Sequence, residues 1–283
     1  LAHGESSQQL SQQLSGISVR GKLKRFRCLA TLRTDEYQIL QAELPAVPPD
    51  EIRQALRWSI RELVDYPVDD VGADYLEIPV NNEQMGVRAA YVVCARGTAL
   101  SRYVNAFESA KAKLMVADVA ETAHRNLAAL CPVGDNGILL VAVMPDHCLL
   151  TFARKGELCM SRRIDVGLTA LMDADENRRS ELFDRILLEL QRSLDGFERQ
   201  FHFAPLAKIM VSPLPDDIHL LPFLVDNLYQ KVESLDLATL MDFSAVPALA
   251  NPAIQSAYLT LLGAGLRDET ATDANTSESA TAN

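Results

Sequence analysis

Ile138-Leu139-Leu140-Val141-Ala142-Val143, Cys148-Leu149-Leu150-Thr151-Phe152-Ala153 and the run from Leu158 to Ile164 are three short apolar stretches, set apart by Pro145-Asp146 and Lys155-Gly156. Runs of this length bounded by turn residues read as strands, and turns this tight join antiparallel neighbours. The stretch is therefore a three-stranded meander. Downstream, Ser180 to about Gln200 carries Leu182, Phe183, Ile186, Leu190, Leu194 and Phe197 on one stripe, the mark of a long amphipathic helix. Lys208 to Ser212 reads as a strand, Leu220 to Tyr229 as a helix and Lys231 to Leu235 as a strand. Asn251-Pro252-Ala253 opens a last helix, apolar through Leu266. Meander, helix, strand, helix, strand, helix is mixed α/β.

Working back from the meander, Gly134-Asp135-Asn136-Gly137 is the strongest turn signal in the chain and marks a lobe boundary. The first fifteen residues form a polar, Gln- and Ser-rich helical lead-in, and Ile17 to Val19 and Phe26 to Thr31 read as short strands or their flanks. The basic cluster Arg20-Gly21-Lys22-Leu23-Lys24-Arg25 between them fits a solvated turn or edge strand better than a nucleic-acid patch. After Leu44-Pro45-Ala46-Val47-Pro48-Pro49-Asp50-Glu51 a helix runs to about Val64, with Ile52, Leu56, Ile60 and Leu63 on one face. Arg53, Arg57 and Arg61 form a second stripe, and Tyr66-Pro67 ends the helix. Asp74 to Val80 and Val87 to Cys94 pair as strands across Asn81-Asn82-Glu83. Thr98 caps a helix carrying Tyr103, Val104, Phe107 and Leu114, and Ala117 to Leu130 is a strand end followed by an Ala-rich helix. The two halves are of similar make-up, which suggests an internal duplication, although no repeat is visible residue by residue.

Composition narrows the function. A chain of 283 residues exceeds one compact core, so two lobes are expected. The formal charge of -11, from 27 basic and 38 acidic residues, argues against non-specific nucleic-acid binding and against direct attachment to anionic lipid. Cys28, Cys94, Cys131, Cys148 and Cys159 are odd in number and contain no CxxC pair, so they read as small buried hydrophobes in a reducing compartment. His147 beside Cys148 is the one pairing that suggests a nucleophile, but neighbours on a strand point to opposite faces. No window reaches the ~20 apolar residues of a membrane span. The start has neither a basic nor an apolar leader region and lacks an initiator Met; a cytoplasmic location is expected.

The run Leu44-Pro45, Glu51-Ile52, Ala55-Leu56-Arg57-Trp58, Tyr66-Pro67, Val71, Asp74-Tyr75 resembles the PilM/MshI family of type IV (MSHA-type) pilus biogenesis proteins, within the actin-like ATPase superfamily. Val92-Val93-Cys94-Ala95, Gly156 to Arg163, Glu189-Leu190-Gln191-Arg192-Ser193-Leu194-Asp195 and Leu262-Gly263-Ala264-Gly265-Leu266-Arg267 match further family segments in order, over about residues 15 to 267. The type II secretion protein GspL and the cell-division protein FtsA share that fold. The resemblance implies a two-lobed actin-like (ribonuclease H-like) ATPase fold, here lacking the first N-terminal hairpin. It further implies residues 1–136 as a first lobe with the family-specific inserted subdomain, and 137–250 as a second lobe. Residues 251–267 would be a C-terminal helix returning to the first lobe, and 268–283 a disordered tail.

The resemblance also says what to look for in a nucleotide cleft: two Asp-x-Gly hairpins and a Gly-Gly turn, since a Cβ obstructs close approach of phosphate or base. Nothing like the first hairpin precedes Ile17. At the second, Val143-Met144-Pro145-Asp146-His147 has no glycine; at the third, Ser212-Pro213-Leu214-Pro215 loses main-chain donors to proline. Asp165-Val166-Gly167-Leu168-Thr169 fits a strand-exit turn, Asp216-Asp217-Ile218-His219 a helix cap, and Asp69-Asp70 carries no catalytic weight. No catalytic residue, cofactor or metal site is expected. The expected function is a non-catalytic scaffold, recruited to the inner membrane, that binds the cytoplasmic segment of a PilN-like inner-membrane protein and couples it to the assembly ATPase. Arg53, Arg57, Trp58 and Arg61 are the candidate partner-binding residues, because Trp and Arg most often anchor interfaces. The bland reading puts Trp58 in the core and leaves the arginines solvated. The alternative function is an ATP-binding, nucleotide-gated switch of a pilus or GspL-like secretion machine. A membrane anchor like FtsA would want an amphipathic C-terminal helix, and the polar tail after Arg267 speaks against it.

Overall fold

The computed structural model describes residues 7–21, 23–61, 64, 70–79, 88–215 and 217–267. Leu63, the helix stop at Tyr66-Pro67, Asp69, the Asn81-Asn82-Glu83 turn, Lys22, Asp216 and the tail after Arg267 lie outside the described residues.

The meander forms as its sequence dictates. β6 (Gly137–Val143), β7 (Cys148–Arg154) and β8 (Glu157–Ile164) pair antiparallel, and β9 (Leu206–Val211) and β10 (Val232–Ser234) add in parallel, giving the order β10-β9-β6-β7-β8. Every residue of β6 is buried, as a central strand covered on both faces requires. One face is covered by α6 (Glu176–Gln200), whose Leu182, Phe183, Ile186, Leu190, Leu194 and Phe197 all enter the core. Asp175 caps α6 by accepting from Arg178 N, and Phe197 stacks on Phe152 with ring centroids 4.8 Å apart. α5 (Leu168–Asp173) and α7 (Leu220–Asn227) complete that layer. The other face meets α4 (Ala120–Ala129), which packs against α8 (Pro252–Gly265).

The first half builds two smaller sheets. β1 (Arg27–Thr31) and β5 (Lys113–Asp118) pair in parallel; α1 (Ser7–Gly21) and α3 (Gly97–Ser109) pack on them through Leu10, Leu14, Tyr103, Ala106 and Phe107. β2 (Tyr37–Glu43), β4 (Ala89–Arg96) and β3 (Val71–Glu77) form an antiparallel sheet in the order β2-β4-β3. α2 (Ile52–Ser59) seals one face of it with Ile52, Leu56 and Ile60 against Ala90, Val92 and Cys94. From the other face Ile78 and Tyr91 join the core of the five-stranded sheet, and Tyr91 Oη donates to Cys159 O at 3.3 Å.

Five points differ from the sequence reading. Ile17 to Val19 belong to α1, not to a strand, because Leu10, Leu14 and Ile17 continue a helical spacing that their polar neighbours obscure. Tyr37–Glu43 is a strand that the sequence reading passes over; both its faces are covered, so it lacks a clean apolar–polar alternation. Leu114 lies on β5 and not on the helix before it. α3 starts from Arg96, ahead of Thr98, and α2 ends at Ser59, short of Val64.

Candidate functional site

α2 presents the four candidate partner residues, and its own packing separates them. With Ile52, Leu56 and Ile60 turned inward, Arg53, Arg57, Trp58 and Arg61 face out. Arg53 Nε lies 3.2 Å from Asp74 Oδ1, both side chains more than half exposed, a pair worth about 0–1 kcal/mol. Arg57 Nη2 donates to Val71 O at 2.7 Å, so its guanidinium holds a main-chain acceptor of β3. Trp58 is 64 % exposed and Arg61 is exposed just beyond the helix. The core reading of Trp58 therefore fails: it is an uncovered indole between two cations. Arg53 and Arg57 are tied to β3, while Trp58 and Arg61 present a free apolar and charged face.

The junction where β5 runs into α4 is the second place where polar groups gather. Asp118, 3 % exposed, accepts at Oδ1 from Val119 N (3.0 Å), from Thr122 Oγ1 and from Arg267 Nη1 (3.3 Å). Its Oδ2 is buried without a partner among the described residues. Tyr37 Oη donates to Glu121 Oε2 at 2.7 Å, and burial pushes both groups above their ordinary pKa. A carboxyl raised in this way favours the folded state while protonated, so that contribution fades as pH rises past about 4.5. Glu121→Gln, which keeps an acceptor for Tyr37, is expected to flatten the pH dependence of stability above that point. Thermal unfolding of the two proteins at pH 4.5 and 7.5 checks this, and equal slopes would sink it.

Across this junction the loops of the five-stranded sheet are stitched to the protein itself. Ser212 N donates to Val141 O (2.8 Å), Ser212 Oγ accepts from Val143 N (3.0 Å), and Leu214 packs into the core. In the β6–β7 turn Met144 O accepts from Leu168 N and Pro145 O from Thr169 N. Asp146 binds His147 Nδ1 at 2.8 Å and Arg163 Nη2 at 3.1 Å. Gly167 is a strand-exit residue pressed under that turn: a Cβ there would sit 2.3–2.5 Å from main-chain atoms of residues 145–147. Glycine serves packing here. His147, just ahead of β7, turns to Asp146, while the Cys148 thiol donates to Val166 O at 3.0 Å and burial pushes it up to about 12. Cys94 and Cys159 rise to about 11 and 12 for the same reason, which leaves them unreactive near neutrality.

A cavity of about 610 Å³ opens beside β9 and β10, lined in part by Cys131, Lys208, Met210, Glu233 and Asp236. Two of its charges are matched already, Lys208 Nζ lying 3.0 Å from Glu233 Oε2. Among the described residues no cluster of three or more His, Cys, Asp or Glu could hold a metal, and no helix is long and apolar enough to cross a membrane.

No protein-family model matches the chain, and neither does any curated protein sequence. Solved structures do match. A chain of the PilM-PilN type IV pilus biogenesis complex superposes with a TM-score of 0.69 at 16 % identity, over 92 % of this chain and 86 % of that one. The cytoplasmic domain of EpsL, an inner-membrane component of the type II secretion system of Vibrio cholerae, gives 0.42 at 12 % identity, over 73 % and 69 %. A Bacteroides thetaiotaomicron protein with an actin-like ATPase fold gives 0.47 at 9 % identity, over 85 % and 81 %. The chain thus has the mixed α/β fold of that chain of the PilM-PilN complex, and at 16 % identity the likeness speaks for the fold alone.

Proposed function

We propose that the chain is a non-catalytic scaffold of type IV (MSHA-type) pilus assembly, held at the inner membrane by binding the cytoplasmic segment of a PilN-like protein and linking it to the assembly ATPase. The observation that carries this reading is the similarity to a chain of the PilM-PilN complex across nearly the whole length of both chains. Met144 N, spent on His147 O, and Ser212 N, spent on Val141 O, support the non-catalytic half, because main-chain N–H groups at these loops would have to be free to hold phosphate. For the partner, Trp58 and Arg61 are the surface of choice, with Arg53 and Arg57 positioning α2 on β3.

Titration calorimetry with the PilN-like protein encoded in the same organism tests the site. Trp58→Ala is expected to weaken binding at least about 30-fold, the effect of losing an interface anchor worth ~2 kcal/mol. An unchanged affinity would remove α2 from the interface. Arg53→Glu/Arg57→Glu that leaves binding intact would confine those arginines to the packing of β3.

One observation favours the nucleotide-gated reading: the buried, unpartnered Asp118 Oδ2 at the carboxyl end of β5, where ligands of parallel α/β sheets gather. Titration with Mg-ATP decides between the two. Silence at millimolar nucleotide supports the scaffold, and micromolar binding supports the switch.

A further inference from the structure

The five-stranded sheet ends on an edge well inside the chain. β10 is the outermost strand of β10-β9-β6-β7-β8, and residues 217–267 run through it unbroken. Its main neighbours are β9 and α7. Ile209 N donates to Lys231 O and Leu235 N to Val211 O, so the main-chain groups of Lys231, Glu233 and Leu235 turn towards β9. Alternation turns those of Val232 and Ser234 outward. Among the described residues, no group bonds them on that side.

Edge strands are commonly kept apart by being short and by carrying lysine. β10 is short, but its lysine is not alone. Lys231 and Glu233 flank the outward Val232, lie on one face of the strand and bond each other. Two antiparallel registers join this edge to its own copy about a twofold axis. Setting Ser234 opposite Val232 puts Glu233 against Glu233 of the second copy, and like charges directly opposite repel. Setting Val232 opposite Val232 puts Lys231 against Glu233 of the second copy, twice, so four charges alternate across the axis. Those are non-hydrogen-bonded positions, where facing side chains stand closest. Charge therefore selects this register. Apolar surface lies beside it: Tyr229, two positions ahead of Lys231, is 102 % exposed, and Val225 on α7 is 49 % exposed. Because α7 packs on β10, pairing the edges also brings α7 towards α7 of the second copy.

We propose that β10 is a dimerisation edge: two copies of this chain pair β10 antiparallel, Val232 opposite Val232, and their sheets continue into one. A parallel pairing would repeat head to tail without closing. The inference rests on strand register and charge, and stands apart from the pilus reading.

Sedimentation equilibrium of the full chain, with amide hydrogen exchange, tests it. The wild type is expected to dimerise in the micromolar range, with exchange at Val232 and Ser234 about tenfold or more slower than in dilute protein. Lys231→Glu, at a side chain 70 % exposed, is expected to weaken self-association about tenfold or more. Val232→Pro, which removes an outward N–H and no bond to β9, abolishes it. Mixing Lys231→Glu chains with Glu233→Lys chains restores a dimer that neither forms alone, because every facing pair is again of opposite charge. If Val232→Pro or Glu233→Lys misfolds, Lys231→Glu alone still decides. The proposal is overturned by a monomer at about 100 μM, or by a dimer that Lys231→Glu leaves unchanged. It is also overturned if the Val232 and Ser234 amides are already slow in the dilute monomer.

Discussion

Acidification from pH 7 to 5 is expected to cost this fold about 2 kcal/mol through a single side chain, His124. The imidazole is fully buried on α4; its Nε2 lies 3.1 Å from Thr260 Oγ1 on α8, and Nδ1 has no described partner. Burial, with a smaller contribution from His147 nearby, pushes its pKa down to about 3. The unfolded chain accepts this proton near pH 6.5 while the folded one refuses it, so stability drains away as pH falls from about 6.5 towards 3. His124→Gln keeps a partner for Thr260 and has no proton to take up. Thermal melts should show the wild type losing about 4–8 °C more than this variant between pH 7 and 5. Parallel decline of the two would refute the assignment. The Glu121 carboxyl works in the opposite sense, so Glu121→Gln made in the same background separates the two contributions.

The second large effect is steric. Glycine in mid-helix ordinarily weakens it by about 1 kcal/mol relative to alanine, so Gly→Ala should stabilise. At Gly263 the sign is expected to reverse. A Cβ there would stand 2.1 Å from Ala123 O and 2.6 Å from Ala123 C, main-chain atoms of α4 that cannot step aside. The same contact lets Asn126 Nδ2 donate to Gly263 O at 3.0 Å. Gly263→Ala should therefore cost about 3 kcal/mol, with α8 losing its hydrogen-exchange protection first. Gly196, inside α6 with nothing within 4 Å of its would-be Cβ, is the control, and Gly196→Ala should gain about 1 kcal/mol. If Gly263→Ala also stabilises, the two helices are not in close contact.

What could be read from the sequence follows from where each element's faces point. α6 has one wet face and one dry one, so its six apolar residues announced both the helix and its side, and the α2 residues Ile52, Leu56 and Ile60 did the same. The meander was legible from its turns. β2 was not, because Ile39 and Leu40 are packed on opposite faces and leave no alternation to see. Periodicity placed Trp58 off the apolar stripe of α2 without saying whether anything covers it; the exposed indole is a fact of the assembled sheet. Arg57 could not be assigned to Val71 O, since that carbonyl is fourteen positions on and reached only when β3 lies beside the helix. His124, Glu121 and Asp118 escaped notice for a related reason. Each draws its chemistry from neighbours on other elements, Thr260, Tyr37 and Arg267, that no local pattern joins. The Leu262-Gly263-Ala264-Gly265 run was noticed as a family mark, and its physical reason lay across the chain at Ala123.

The sharing of one core by Ile78, Tyr91 and the strands β7 and β8 has a mechanical side. A tug applied to α2 travels through the three-stranded sheet into the five-stranded one, by way of apolar side chains that must be bared to water before the parts can separate. That sheet is a strut, not a dangling attachment. Tension from a partner seated on Trp58 would load the body of the molecule directly, with the shared apolar core standing between the point of attachment and the five-stranded sheet.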